Sequence, residues 1–134
     1  MPNFESQIFL RMKLHLIFIV SAFVFSFHAR AQKTIPEITI AEAKDHVGEK
    51  VTICGEIKET FYNVKAKGEP TMLNFGAPYP NQTFACLIWK DDLVNFDYKP
   101  AAYLKGKQVC VTGIVKMYKG KPEMELHAQD QVYE

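Results

Sequence analysis

Two stretches of this chain carry the same pattern. Gly48-Glu49-Lys50-Val51-Thr52-Ile53-Cys54-Gly55 is echoed by Gly106-Lys107-Gln108-Val109-Cys110-Val111-Thr112-Gly113, and Ile57 and Val115 follow in matching positions. Val51, Ile53 and Ile57 alternate with polar neighbours, as do Val109, Val111 and Val115, which is the period of a strand with one buried face. The second glycine of each copy falls on that face, where it permits a bend or a close approach by another segment. Two copies are too few for a solenoid, which needs several stacked units to bury its faces. They read instead as two equivalent strands of a small sheet curled closed, each entered from a glycine turn.

The residues between and around the repeats supply the other elements. Thr39-Ile40-Ala41-Glu42 has the spacing of a capping box and predicts a short helix towards His46, released at Gly48. The first barrel strand starts at Val51, and Phe61 to Pro70 reads as a long connection. A second strand spans Thr71 to Phe75. Gly76-Ala77-Pro78-Tyr79-Pro80-Asn81 then breaks the chain, because two prolines remove ladder donors and restrict the residues before them. The third strand, Thr83 to Trp89, is apolar on both faces, so its outer face is a candidate binding surface. Asp91 or Asp92 is expected to cap a short helix carrying Leu93 and Phe96, limited by Pro100. The fourth strand spans Gln108 to Met117. The fifth spans Pro122 to His127, with Met124 and Leu126 inward and Glu123, Glu125 and His127 towards water. The fold class is therefore all-β: a five-stranded barrel with a short helix between strands three and four and a short N-terminal helix.

The 134 residues fit one such domain, preceded by a segment of different character. Arg11 and Lys13 precede an apolar run, Leu14 to Phe27, which ends in Ala29-Arg30-Ala31. Positive flank, apolar core and small-x-small motif are the parts of a signal peptide. The expected product starts at Gln32 and is periplasmic or secreted, with Met12 as an alternative start. The run falls short of the roughly 20 residues needed to span a bilayer, so stable membrane insertion of the mature chain is not expected. The division is then 1–31 signal, 32–46 lead-in and short helix, and 47–134 barrel.

Processing at that site leaves 13 basic and 14 acidic side chains, a formal net charge of −1, and no arginine. Global attraction to a polyanion is thereby excluded, as is the bidentate guanidinium grip on phosphate. Three cysteines, Cys54, Cys86 and Cys110, remain, so at least one stays unpaired within a single chain. Cys54 and Cys110 occupy the face opposite the repeat valines. They approach each other if the two repeat strands run antiparallel, which makes them a candidate disulfide, against the reading in which all three are buried thiols.

The order of elements, together with Gly106 to Gly113, Leu73-Asn74-Phe75-Gly76, Tyr79-Pro80-Asn81-Gln82-Thr83-Phe84 and Tyr118-Lys119-Gly120-Lys121-Pro122, resembles the OB-fold. In particular it is similar to small exported bacterial OB domains of the nucleic-acid-binding group, such as those accompanying some secreted nucleases. The resemblance covers about Val47 to Val132. It implies a binding side formed by the outer face of strands two and three with the loops joining strands one to two and four to five. Those places hold Phe61, Tyr62, Lys65, Lys67, Tyr79, Trp89, Tyr118, Lys119 and Lys121. Rings that stack on bases and lysines that meet the backbone suit a single-stranded nucleic acid without base-specific readout. The alternatives are a small-molecule or protein-binding OB domain, and rings that merely close the barrel ends.

Chemistry is harder to assemble from these residues. His46 and His127 are far apart in sequence and no His-x-His, His-Glu-x-x-His or calcium-loop spacing occurs, so no metal site and no cofactor is expected. No serine is singled out as a nucleophile, and Cys54 or Cys110 beside His127 would need a coincidence of folding. The expectation is a non-catalytic binding module. Asn74 and Asn81 are weaker contact candidates, since turn and strand-end asparagines commonly bond their own backbone.

Overall fold

The computed structural model describes residues 3–24 and 31–134, 16–24 by their backbone alone. It divides into two units, 1–34 and 35–134. The first contains α1 (Phe4–Val24), and no helix among the described residues is long and apolar enough to cross a membrane. Residues 25–30, including Ala29 and Arg30 of the processing motif, lie outside the described residues.

The second unit contains the barrel. Its strands are β1 (Glu37–Ile38), β2 (Lys50–Tyr62), β3 (Thr71–Phe75), β4 (Phe84–Ile88), β5 (Gln108–Tyr118), β6 (Lys121–Glu125) and β7 (Val132–Tyr133). β2 pairs antiparallel with β3, β3 antiparallel with β4, β4 parallel with β6, β6 antiparallel with β5, and β5 antiparallel with β2. That circuit of five strands closes on itself in the OB-fold order. β1 and β7 are additions the sequence pattern did not reveal. Each is two residues long, lying alongside β2 and β5.

β2 serves two neighbours along its length. Lys50–Glu56 pairs with β5, and Ile57–Tyr62 pairs with β3 across a register shift between Ile57 and Glu59. The extra residue at such a shift bends and twists a strand, so one segment turns the corner of the barrel. The strand therefore runs through Phe61 and Tyr62, which the sequence reading had placed in the connection. Val51, Ile53, Ile57, Val109, Val111 and Val115 all point into one core with Leu73, Phe75, Phe84, Met124 and Leu126. The repeat glycines permit close approach, as expected. A Cβ on Gly55 would stand 2.7 Å from Ile40 Cδ1, and one on Gly113 would stand 2.8 Å from Met124 Sδ.

The ends of the barrel are closed by short turns of helix. Ile40–Asp45 is a 3-10 helix whose Glu42 carboxylate accepts the Thr39 amide and hydroxyl, each at 2.7 Å. Between β4 and β5 lie a 3-10 turn, Lys90–Asn95, and α2 (Pro100–Tyr103). Neither Asp91 nor Asp92 caps. β4 passes directly into the turn with Trp89 in the capping position, and the Asp92 carboxylate instead meets His127 Nδ1 at 2.8 Å. Pro100, expected only as a limit, opens α2, since its fixed φ and missing N–H suit the first helical position.

Cys54 and Cys110 are register partners across β2 and β5, with Cα atoms 3.9 Å and sulfurs 2.00 Å apart. Beside them the hydroxyls of Thr52 and Thr112 are 2.8 Å apart on the same outer face. Cys86 is buried within the core, and burial pushes its thiol well above the usual range.

Candidate functional site

The barrel face bounded by β2, β3, β4, β6 and β5 has two cross-strand rows on its outer side. Glu59, Asn74, Ala85, Glu123 and Lys116 are successive register partners, and so are Phe61, Met72, Leu87 and Glu125. The outer face of β4 is not the open apolar surface expected from sequence. Ala85 and Leu87 retain only 5% and 6% exposure. Both neighbouring strands carry longer side chains in the same rows, so small Ala85 lies between Asn74 and Glu123.

Carboxylates populate this face. Glu125 pairs with Lys116 at 3.0 Å, and its other oxygen is 3.8 Å from His127 Nε2. Burial, reinforced by Glu125, holds the Glu123 carboxyl above the ordinary carboxylate range. Glu59 goes the other way, because its Oε2 accepts the Tyr79 amide at 2.9 Å and Asn74 Nδ2 at 2.8 Å. The Asn74 side chain is buried and its Oδ1 has no hydrogen-bond partner. A buried acceptor left without a donor costs about 1–3 kcal/mol.

The residues expected to bind divide between the two ends of this face. At the start of β3 stand Phe61, Tyr62, Lys65, Lys67 and Trp89. Phe61 is 55% exposed, whereas Trp89 is engaged. Its indole lies against Gly68, at φ +79, so tightly that a Cβ there would come within 2.8 Å of Cε3. The Lys90 amide donates to the Gly68 carbonyl at 3.2 Å, and Glu69 accepts from Tyr62 Oη at 2.8 Å and from Lys90 Nζ at 2.6 Å. These contacts brace the 63–70 loop against β2 and β4. Lys65 and Lys67 are exposed along it.

At the other end, Tyr79 is 73% exposed on the 76–83 loop and Tyr118 is 57% exposed at the end of β5. Lys119 and Gly120 both have positive φ and form the two-residue turn from β5 to β6, with Lys119 Nζ 5.3 Å from the Tyr118 ring centroid. Lys121 is committed internally, donating to the Pro80 carbonyl and, at 3.5 Å, to Gln82 Oε1. The nine residues are thus two groups at opposite ends of β3 and β4. Five residues of strand separate them, about 17 Å at 3.3 Å per residue.

His46 bonds Glu49 and His127 bonds Asp92, and among the described residues no group of three or more His, Cys, Asp or Glu side chains is placed to hold a metal ion.

No protein-family model matches the chain, and no curated protein matches it. A solved structure similar to it is that of a Leishmania major Friedlin protein assigned as an aspartyl-tRNA synthetase. The two are 11% identical with a TM-score of 0.49 over 80% of this chain and 22% of that one. The chain spans about a fifth of that protein's length, and likeness at this level transfers neither fold nor activity.

Proposed function

We propose that the barrel is a binding module for single-stranded nucleic acid, with bases stacking on exposed rings and lysines meeting phosphates. The observation that carries this reading is the exposure of Phe61, Tyr79 and Tyr118 around one barrel face, with Lys65 and Lys67 on the loop that follows Phe61 and Lys119 on the turn that follows Tyr118. Base-to-ring stacking is sequence-tolerant, and it suits a face without arginine and a chain with little net charge. The two ends, about 17 Å apart, match a ligand extended over several nucleotides better than a compact one.

Titrating the 32–134 chain with fluorescent single-stranded and duplex oligonucleotides tests this. Single strands are expected to bind more tightly. Phe61→Ala and Tyr118→Ala should each weaken binding by about 1–3 kcal/mol. Three phosphate-directed lysines give a slope of log K against log salt of about −2. Trp89→Ala is a poor probe, since removing the indole also unbraces the 63–70 loop. Absence of saturable binding at low salt would replace this reading with a small-molecule or protein ligand for the same rings.

We further propose that the chain is exported and processed before Gln32, on the strength of Arg11, Lys13, the apolar run and Ala29-Arg30-Ala31. Intact-mass measurement on protein expressed in a bacterial host should find a chain beginning at Gln32. Unprocessed chain retained in the cytoplasm would overturn it.

A further inference from the structure

We infer that Glu59 and Lys121 are positioning residues of the proposed nucleic-acid face: from opposite flanks they fix the 76–83 loop so that Tyr79 stands in place for a base to stack on it. Neither meets the ligand itself. This rests on the nucleic-acid reading and deepens it. That reading alone assigns Glu59 no part and would make a lysine at this end a phosphate contact.

Tyr79 is the most exposed ring of the 35–134 unit, at 73%, and it stands at the tip of a loop rather than on a strand. In an untethered loop such a ring would lose its freedom each time a base stacked on it, and that ordering would be subtracted from affinity. The base of the loop is closed by the β3–β4 hairpin, where the Thr83 amide donates to the Phe75 carbonyl at 3.1 Å. Its tip is held by other strands. Glu59, on β2, accepts the Tyr79 amide at 2.9 Å across 20 positions of sequence. Lys121, on β6, donates to the carbonyl of the next residue, Pro80, across 41. β2 and β6 are the strands that flank the β3–β4 pair in the barrel, so the tip is pinned from both sides.

Each clamp is itself supported. Glu59 Oε2 also accepts Asn74 Nδ2 at 2.8 Å, and Asn74 is its register partner on β3. Asn74 is buried and leaves its own carbonyl oxygen without a partner, an uncommon arrangement that an apolar residue at the same place would avoid. What the asparagine supplies is the donor that aims Glu59 at the Tyr79 amide. Lys121 reaches a second loop group, Gln82 Oε1, at 3.5 Å. Three side chains from three strands are thus spent on the backbone around one solvent-exposed ring. A surface loop needs no such support to stay folded, whereas a stacking ring held beforehand in its bound position gains affinity from it.

The test follows oligo-dT binding to the 32–134 chain by fluorescence anisotropy over a salt series. Glu59→Ala is expected to weaken binding about two- to tenfold, the share of affinity that ordering a loop side chain takes. Charge alone predicts the opposite, since removing a carboxylate beside a polyanion favours binding. Glu59→Gln keeps an acceptor for the Tyr79 amide and should bind as tightly as wild type. Lys121→Met is expected to weaken binding to a similar degree with the salt slope unchanged, whereas Lys119→Met should make that slope shallower by about 0.7. In a Tyr79→Ala background neither Glu59→Ala nor Lys121→Met should weaken binding further, because the ring they place is gone. Circular dichroism and a thermal melt establish that each variant is folded, and faster hydrogen exchange at the Tyr79 amide in Glu59→Ala reports the released tip. Tighter binding by Glu59→Ala, losses that add in full to that of Tyr79→Ala, or a Lys121→Met slope as shallow as that of Lys119→Met overturns the assignment while the nucleic-acid reading stands. Failure of the wild type to bind any strand overturns the nucleic-acid reading, and this inference with it.

Discussion

Phe84→Ala is expected to destabilise the 35–134 unit by about 3–5 kcal/mol, the cost of deleting a fully buried ring and leaving most of its cavity behind. Phe84 opens β4, has no exposed surface, and faces its register partner Phe75 with ring centroids 5.4 Å apart and planes tilted by 53°. The pair fills the barrel at the level where the chain turns from β3 into β4, so neither wall can collapse inward without breaking a ladder. A domain of this size holds about 5–15 kcal/mol in total. The substitution should therefore lower the melting temperature by at least about 12 °C. Urea and thermal melts of the 32–134 chain measure it, and a loss below about 1 kcal/mol would mean the ring is not packed as described.

Replacing Cys54 and Cys110 together by alanine is the second large effect. In the chain-entropy account, a cross-link closing a loop with a sequence separation of 56 restrains the unfolded chain by about 4 kcal/mol. The sulfurs lie on the outer face of β2 and β5, so the substitution removes the cross-link without opening the core. In oxidised, exported protein, peptide mapping without reduction should recover the Cys54 and Cys110 peptides joined. The double variant should then melt well below the oxidised wild type and close to the reduced wild type. Two separate peptides, or identical melts with and without reductant, would reject the bond and leave the barrel untouched.

Much of this fold was readable because its signals are local. The period-two valines and the second glycine of each repeat mark two strands whatever surrounds them. Thr71 to Phe75 is bounded by Pro70 and Gly76, and the observed β3 has those limits. Boundaries failed where partners decide them. Phe61 and Tyr62 belong to β2 only because β3 offers Met72 and Thr71 as ladder partners. β1 and β7 exist only because β2 and β5 have open edges to pair.

The candidate site was legible as a set of residue types but not as a surface. The lysines and Tyr79 could be located from the turns and loops that carry them, and Phe61 and Tyr118 from the strand ends beside those loops. The engagement of Trp89 with Gly68 needs a contact between residues 21 apart, which no window of sequence displays. Alternation along β6 put Glu123 and Glu125 on the outside. Their place beside Ala85 and Leu87 follows from the parallel pairing of β6 with β4, a property of topology alone.

The order in which the strands join has a consequence for how the molecule comes into being. β2, β3 and β4 follow one another as antiparallel neighbours, and each can zip onto its predecessor as soon as it is present. The ring remains open until β6, the last of the five, slots between β4 and β5. A chain threaded to its destination from the N-terminus would thus travel as an unshut ribbon and snap closed only when residue 125 arrives. Loop-closure entropy must be met before that non-local pairing returns anything, so ring closure should be the slow event of folding. Until then the apolar inner faces of the first three strands stay open to solvent and to chaperones.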